Sequence, residues 1–464
     1  MLAVINKMEL RVLVFGILTL IPLFLFYTTS GHVSVNYLQI FLVILLLIIM
    51  AVVFSFVEDA GVCQPYSVIV ISVLIGVHAK YLYIISEQGS NPEIDEFLLL
   101  GEGLDILDSG LFFVLYSFSV MSLFYIVSKR RLYTTPLAIE YYVYRAKFVY
   151  IGIFILAVSL FTFTYLVFSN DMGFVSGKKF SGEGALPDSR FISLSYYLLK
   201  LSFLVKVAFY VFLLLYLSPG KNRASLFWLI ISFIATLVIS YYVSNRASLV
   251  VLFLDFVVIT SLYRGKFPFK LVLSTLVILT LAILVISDNR SAGGATKSVA
   301  EHIFGGRYLF DLTKNTHFYN YLASGNQLFD FSSSTLLSDY INLGRISGKN
   351  VFGMEKSGVP LGYPIELFSA GGWLALTVGM AALGVFYRAL TLLVAQKIVK
   401  DYMIVIYSII MTRSGVYMFN NGIGTTMYQT LFDLVPFLII IYLLKPGKSA
   451  LVGTKAYGLE VDNK

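Results

Sequence analysis

The sequence predicts an all-α polytopic membrane protein, and three observations lead to this fold class. Hydrophobic residues make up 58% of the 464 residues, whereas charged residues make up only 13%. Mean hydropathy is +0.83, and a soluble domain would carry about 25% charged residues. Apolar runs recur along the chain, and a single long polar segment, residues 288–362, interrupts them. The chain therefore belongs in a bilayer.

The apolar runs give the predicted order of helices. A membrane-spanning helix needs about 20 mostly apolar residues, and this criterion predicts about twelve helices. The runs fall near residues 8–27, 36–56, 66–87, 111–128, 147–168, 193–217, 225–243, 247–262, 268–288, 363–396, 402–418 and 426–444. They divide the chain into a first helical region (1–287), the long polar loop (288–362), and a last helical region with a tail (363–464).

Lys and Arg residues between the runs predict the orientation. Most of them fall in connections on one side, and this bias marks the cytoplasmic side. The short loops of the other side carry only Lys178, Lys179, Arg190, Arg246 and Arg413. We therefore expect both termini to be cytoplasmic and loop 288–362 to be external. The formal net charge of +8 then reflects topology, and we expect no nucleic-acid partner.

The external loop is the predicted working face of a membrane enzyme. A connection of this length is far above the usual 4–6 residues or so, which indicates either function or disorder. Its aromatic residues, such as Phe304, Tyr308 and Tyr319, argue against disorder. Nucleotide-activated donors and ATP are cytoplasmic, so an external enzyme must use another energy source.

Arginines at the predicted outer membrane face are candidates for binding phosphate. Arg246 follows Asn245 in a short turn between two spans, and Arg290 follows the end of another span. An arginine held at this depth suits a bidentate grip on a lipid phosphate. The alternative is a side chain that extends to the lipid headgroups without a specific ligand.

Further candidates lie within the loop itself. Arg307 and Lys314 share one face of a predicted helix, where they either bind phosphate or, for Arg307, pair with Asp311. His317 is a candidate general base, although exposed histidines are often incidental. No metal-binding pattern surrounds the histidines, and the single cysteine excludes a cysteine-based metal site. The alternative is a divalent-cation site on Glu93, Asp95 and Glu96 of an outer loop, but the same run carries Glu102, Asp105 and Asp108 and is more simply a solvated acidic face. We therefore expect neither a metal nor a cofactor.

Charged residues also occur inside predicted spans. Lys206, Asp255 and Asp433 all lie well within apolar runs. Such residues usually face the interior of a helix bundle and pair with one another, or else they carry out function. We predict a Lys206–Asp255 or Lys206–Asp433 pair that locks helices together.

Residues from about 225 to 425 resemble the bacterial O-antigen (oligosaccharide repeat-unit) polymerases. The resemblance rests on Asn245-Arg246-Ala247 at an outer turn, on the long arginine-bearing outer loop, and on the residues that follow it. Those residues are Gly353, Gly358, Gly362-Tyr363-Pro364-Ile365-Glu366, Gly371-Gly372 and Gly379-Met380-Ala381-Ala382-Leu383-Gly384. The R-x10-G pattern of some members is absent after both Arg290 and Arg307.

The resemblance implies a GT-C-like membrane glycosyltransferase of the bacterial inner membrane. Such an enzyme transfers a growing glycan from undecaprenyl pyrophosphate to a new lipid-linked repeat unit on the periplasmic face. Donor, acceptor and membrane lipids would be its partners, with a chain-length regulator protein as a further one. The pyrophosphate would be held by Asn245, Arg246, Arg290, Arg307, Lys314 and Arg413. The acceptor proton would pass to His317, Glu366 or a nearby carboxylate.

Two other functions remain open from the sequence. An O-antigen ligase acting on lipid A core needs the same arginines and differs only in its acceptor. A lipid-linked oligosaccharide flippase would be a transporter, and it should place polar groups along a path through the bilayer.

Overall fold

A computed structural model of the chain describes ten ranges of residues. These are 104–127, 138–142, 146–168, 194–218, 223–243, 246–264, 362–394, 398–417, 422–444 and 449–453, with a few isolated positions besides. The helices are α1 (Leu104–Val127), α2 (Ala146–Phe168), α3 (Leu194–Ser202), α4 (Val205–Leu217), α5 (Arg223–Tyr242), α6 (Arg246–Arg264), α7 (Tyr363–Leu392), α8 (Asp401–Tyr417) and α9 (Ile423–Leu444). The strands are β1 (Ala138–Tyr142), β2 (Ile398–Lys400) and β3 (Ser449–Gly453).

The described part of the chain is mostly helical, as predicted. It contains five segments that are long and apolar enough to cross a membrane: Lys147–Phe168, Leu198–Leu217, Ala224–Tyr242, Tyr363–Leu392 and Thr426–Leu443. A multi-pass membrane protein is compatible with these segments. The runs predicted at 8–27, 36–56, 66–87 and 268–288 lie wholly or almost wholly outside the described residues. The count of twelve helices and the GT-C-like architecture therefore stay predictions.

The chain divides into two compact units. The first contains α1, α7, the end of α8 from Gly415, and the beginning of α9 to Thr426. The second contains α2 to α6, the three strands, and the remaining parts of α8 and α9.

Helix α4 lies at the centre of the second unit. Every residue from Val205 to Leu215 is buried, so this helix is enclosed by protein on all sides. Gly152 of α2 permits close approach, because a Cβ there would come within 2.7 Å of the Phe212 ring. The same Phe212 ring also stacks on Trp228 of α5, with ring centroids 6.1 Å apart. Helix α4 ends at Ser218, whose ψ of 153° is extended, as expected for a residue before proline.

Helix α2 has an apolar face that is exposed. Phe154, Phe161 and Phe168 lie on this face, and Phe161 is 73% exposed. In water such a face would be an aggregation hazard, whereas hydrocarbon lipid solvates it without cost. The pattern agrees with α2 as a membrane-spanning helix that faces lipid.

Helices α1 and α7 pack closely in the first unit. A Cβ at Gly384 would lie 2.2 Å from the carbonyl oxygen of Met121, so only glycine allows the two backbones to approach this far. A hydrogen bond of 2.7 Å joins the hydroxyls of Tyr116 and Thr377 across the same pair of helices.

Helix α7 is interrupted by two glycines. Gly371 and Gly372 have non-helical backbone angles, and Gly372 has a φ of 61°, which L side chains rarely adopt. The eight residues before the break fold back along the helix that follows it. A Cβ at Gly379 would therefore meet the Leu367 side chain at 2.5 Å. The span predicted at 363–396 is helical, but it consists of a short arm followed by a longer helix and is not one continuous helix.

The three strands form one small sheet in the order β2-β1-β3, with β1 parallel to β2 and antiparallel to β3. Ile139 of β1 pairs with Val399 on one side and with Val452 on the other. An all-α description is therefore incomplete. Because strands in one sheet lie together, the three connections that contain them must be on the same side of a membrane. The Lys and Arg bias placed these three connections on one side.

Alkaline phosphatase fusions test this orientation. We expect fusions at Tyr133 and after Lys448 to be inactive, because phosphatase folds only outside the cytoplasm and these positions flank β1 and β3. A fusion near Asn320, in the long polar loop, should be active. Phosphatase activity normalised to fusion protein gives the result. Activity at Tyr133 would refute cytoplasmic termini, and opposite results at Tyr133 and Lys448 would contradict the sheet.

Candidate functional site

Four charged side chains meet inside the second unit. Lys206 comes from α4, Asp255 from α6, Arg413 from α8 and Asp433 from α9, and none is more than 9% exposed. Together with Tyr210 of α4 they form what we call the buried ion cluster. Transfer of a single charge into an apolar interior is costly unless the charge is paired and hydrogen-bonded. Ionisable groups within membrane helices are functional candidates for the same reason.

Arg413 is the centre of the cluster. Its Nε donates to Asp433 Oδ2 at 2.9 Å, and Nη1 donates to Asp255 Oδ2 at 3.0 Å and to the Ile409 carbonyl at 3.1 Å. Nη2 donates to the Tyr210 hydroxyl at 2.9 Å and also to Asp433 Oδ2. A guanidinium has five N–H donors, so Arg413 uses all of them within the protein.

Asp255 is equally well satisfied. Its Oδ1 accepts hydrogen bonds from the hydroxyls of Ser408 at 2.8 Å and Thr412 at 2.7 Å. Its Oδ2 accepts from the Tyr210 hydroxyl at 2.5 Å and from Arg413. Four donors fill the acceptor positions of this carboxylate. Arg413 and Asp255 therefore have no hydrogen-bonding group left for a further ligand.

Asp433 is satisfied on one oxygen only. Its Oδ2 accepts from Arg413 twice and from Lys206 Nζ at 2.9 Å. Its Oδ1 is buried and has no hydrogen-bond partner among the residues that the structure describes. The two cations and two carboxylates of the cluster sum to zero charge. Its two ion pairs, Arg413–Asp255 and Lys206–Asp433, differ in how many of their hydrogen-bonding groups have partners.

The cluster links helices that are far apart in sequence. Lys206 and Asp433 are 227 residues apart, and Arg413 and Asp255 are 158 apart. A satisfied polar network in a low-dielectric interior fixes one arrangement of its helices. The prediction of a Lys206–Asp433 pair is confirmed. Lys206 does not pair with Asp255, because Asp255 is bound by Arg413 instead.

Arg413 was predicted to lie in a short outer loop and to bind pyrophosphate. Its placement in a loop is wrong, because α8 continues to Tyr417 and the Arg413 side chain is 1% exposed. The predicted apolar run 402–418 itself contains residue 413, so the outer-loop assignment disagreed with the predicted helix, and α8 agrees with the helix. The role in pyrophosphate binding stays a prediction, although every donor is occupied here.

Glu366 lies in the short arm of α7 and is 4% exposed. Its Oε2 accepts a hydrogen bond from the backbone N–H of Ile423, the first residue of α9. A Cβ at Gly422 would come within 2.8 Å of the same oxygen. A carboxylate in this place satisfies a free N–H and interacts favourably with the helix dipole. Glu366 therefore holds the N-terminus of α9.

We expect replacement of Glu366 to separate this structural role from a role in proton transfer. Glu366→Ala removes the acceptor and should cost about 1–2 kcal/mol, as loss of a helix cap does. Glu366→Gln keeps an oxygen acceptor and should cost less. Thermal unfolding in detergent measures both, with the lipid-facing variant Leu374→Ala as the control. Stability equal to wild type in Glu366→Ala would refute the capping role. A stable Glu366→Gln protein without polymer would identify the base.

The remaining site predictions lie outside the described residues. They are Asn245, Arg290, Arg307, Lys314 and His317. Arg246 begins α6, but its side chain is outside the described part of the chain. Within the described ranges there is no group of three or more metal-binding side chains.

Comparison of the chain with protein-family models, with curated proteins and with solved structures gave no match.

Proposed function

We propose that this protein is a membrane glycosyltransferase that polymerises undecaprenyl-pyrophosphate-linked oligosaccharide repeat units on the periplasmic face of the bacterial inner membrane. The distribution of charge is the observation that carries the proposal. Outside the cytoplasmic connections, basic side chains concentrate in the single polar loop 288–362 and at Arg246, next to a predicted membrane surface. A cationic surface at headgroup level suits an anionic lipid donor.

The proposed reaction joins the acceptor hydroxyl to the anomeric carbon of the donor glycan. A new glycosidic C–O bond forms, the bond from the anomeric carbon to pyrophosphate breaks, and undecaprenyl pyrophosphate leaves. The acceptor proton passes to His317 or Glu366. Arg246, Arg290 and Arg307, with Asn245 and Lys314, would stabilise the charge that develops on the leaving pyrophosphate. The buried ion cluster would hold the helices that present these groups.

Deletion of the gene followed by gel analysis of surface glycan is the test. Loss of a polymerase leaves core carrying a single repeat unit. Loss of a ligase leaves bare core with polymer on the carrier, and loss of a flippase leaves neither repeat nor polymer. Purified protein should then extend lipid-linked repeat units in excess EDTA. Dependence on added magnesium or manganese would contradict the proposed metal-free mechanism.

One observation favours a second candidate, a transporter of lipid-linked oligosaccharide. Four charged residues lie within helices of the second unit, and two of those helical segments are irregular. The α3–α4 segment contains 3₁₀-type bonds, such as Leu204 N–H to the Leu201 carbonyl at 3.0 Å, and α9 contains Pro436. Charged groups near interrupted helices are typical of transport sites. Movement of a labelled lipid-linked oligosaccharide across vesicles containing the purified protein would support this candidate over the polymerase.

A further inference from the structure

The two halves of the buried ion cluster differ in how completely their hydrogen-bonding groups are used. Arg413 and Asp255 have no capacity left, as described above. Within the described ranges Asp433 Oδ1 has no hydrogen-bond partner, although Asp433 is only 2% exposed. Buried carboxylate oxygens nearly always accept a hydrogen bond, so each exception needs an explanation.

Lys206 provides unused donors beside this oxygen. Its ammonium group has three N–H donors, and within the described part of the chain Asp433 Oδ2 is its only hydrogen-bond acceptor. Its Nζ also lies 5.6 Å from the centroid of the Phe203 ring, which attracts the cation but accepts no full hydrogen bond. Within the described residues, the Lys206–Asp433 ion pair therefore contains both an unused acceptor, Asp433 Oδ1, and unused donors on Lys206 Nζ.

The backbone around this ion pair offers a further acceptor. Pro436 lies inside α9 and has no N–H, so the Phe432 carbonyl, next to Asp433, lacks its ordinary helical donor. On the other helix, Lys206 follows a turn in which the Phe203 N–H bonds to the Lys200 carbonyl at 3.1 Å. Such 3₁₀ turns within helices often mark hinges.

Charge decides which kind of ligand fits. The four charged members of the cluster sum to zero, with Lys206 and Arg413 balancing Asp255 and Asp433. Lys200 adds a further positive charge that interacts with both Lys206 and Asp433. A metal cation at Asp433 would face the positive charges of Lys206 and Arg413. An anion at Lys206 would face the Asp433 carboxylate. A small neutral molecule that both donates and accepts hydrogen bonds meets no such repulsion, and water has this chemistry.

We propose that Lys206 and Asp433 bind a water molecule inside the membrane core, with the water donating to Asp433 Oδ1 and accepting from Lys206 Nζ. Buried waters typically make about three hydrogen bonds to otherwise unsatisfied groups, and the Phe432 carbonyl is the candidate for the third. This inference goes beyond the proposed function and holds for either an enzyme or a transporter.

A water molecule here would allow the Lys206–Asp433 pair to separate more easily than the Arg413–Asp255 pair. If Lys206 and Asp433 separate slightly, water can bridge them without leaving a bare charge in an apolar interior. Arg413 and Asp255 have no unused hydrogen-bonding group that a bridging water could occupy. We therefore expect movement within the cluster to occur between α4 and α9, while α6 and α8 stay joined.

Water-edited solid-state NMR of the full-length protein in lipid bilayers tests the proposal. The protein carries ¹³C at the aspartate side-chain carboxyl carbon and ¹⁵N at the lysine side-chain nitrogen. The Asp433 signal is the one dephased by lysine ¹⁵N and lost in Asp433→Glu, which keeps the charge. A second sample with ¹⁵N-labelled arginine identifies Asp255, which Arg413 dephases and lysine does not. Asp255 serves as the internal control because it is equally buried but fully hydrogen-bonded.

We expect magnetisation from water to reach the Asp433 carboxyl carbon at short mixing times, with no signal from Asp255. Equal transfer to both carboxyl carbons would mean that the whole cluster is hydrated, and transfer to neither would mean that Asp433 has no bound water. Either result overturns the proposal. The wild-type protein gives the decisive spectrum, and Asp433→Glu is used only to assign the signal, so the outcome does not depend on whether the protein polymerises glycan.

Discussion

Arg413→Met is expected to leave little folded protein in the membrane. Arg413 is the cation for Asp255 and shares Asp433 with Lys206. Without it, Lys206 alone must balance two buried carboxylates, and it contacts only one of them. Removal of one partner from a buried ion pair costs about 3–5 kcal/mol, and this cost is a large fraction of the stability of most proteins.

Size-exclusion chromatography and thermal unfolding in detergent measure this effect. Ser159→Ala is the control, because Ser159 is buried in the same unit and its hydroxyl bonds to the Ile155 carbonyl of its own helix at 2.8 Å. Arg413→Lys should rescue poorly, since one ammonium cannot reproduce the fork that reaches both carboxylates. Arg413→Met combined with Asp255→Asn restores a neutral cluster and should recover part of the loss. An unfolding temperature of Arg413→Met equal to that of wild type would show that the cluster does not stabilise the fold.

The membrane-spanning helices could be predicted from hydropathy alone. The predicted run 147–168 corresponds to α2 (Ala146–Phe168), and 426–444 corresponds to α9 (Ile423–Leu444). These agreements follow because a lipid-exposed backbone must satisfy its own hydrogen bonds, so a long apolar run can only be helical. The local sequence is sufficient for this conclusion.

Features that depend on distant pairing could not be predicted. The strands β1, β2 and β3 are short and lie in connections, and their sheet joins residues 138–142 to residues 449–453. None of the three strands has a sequence pattern that identifies its partner. The break in α7 is different, because Gly371-Gly372 is visible in the sequence. Glycine permits a break in a helix but does not require one, so the fold-back of the arm needs the surrounding packing.

The buried ion cluster was predicted in part. Lys206, Asp255 and Asp433 were recognised because charges within apolar runs require partners. Their pairing depends on which helices are neighbours, and the sequence leaves this open. Arg413 was missed as a member because it was counted with the outer-loop cations, although the predicted run 402–418 contains it. Its distance of twelve residues from Asp401, the first residue of α8, corresponds to about 18 Å at 1.5 Å per residue. This depth agrees with the position of Arg413 inside the predicted run and disagrees with an outer loop.

The largest functional effect is expected from the arginines predicted to hold pyrophosphate. Arg246→Ala, Arg290→Ala and Arg307→Ala should each remove most surface polymer while the protein remains in the membrane. Loss of a charge-assisted contact made in the transition state costs about 2–4 kcal/mol, which corresponds to roughly 30- to 1000-fold in rate. Arg246→Lys should restore little activity, because an ammonium cannot make the planar two-point contact with phosphate.

Lys349→Ala is the matched control, since it removes a positive charge from the same polar loop without changing a predicted contact. Polymer length on gels, normalised to protein in the membrane, measures the effect in cells, and extension of lipid-linked repeat units measures it with purified protein. If Lys349→Ala reduced polymer as much as the arginine variants do, the basic residues of the loop would act by general electrostatic attraction of the anionic donor. In that case the effect of each variant would weaken as the salt concentration rises. If all three arginine variants made polymer of normal length, these arginines would not hold the leaving pyrophosphate. A loss confined to the arginine variants and insensitive to salt is the result expected of direct contacts with the transition state.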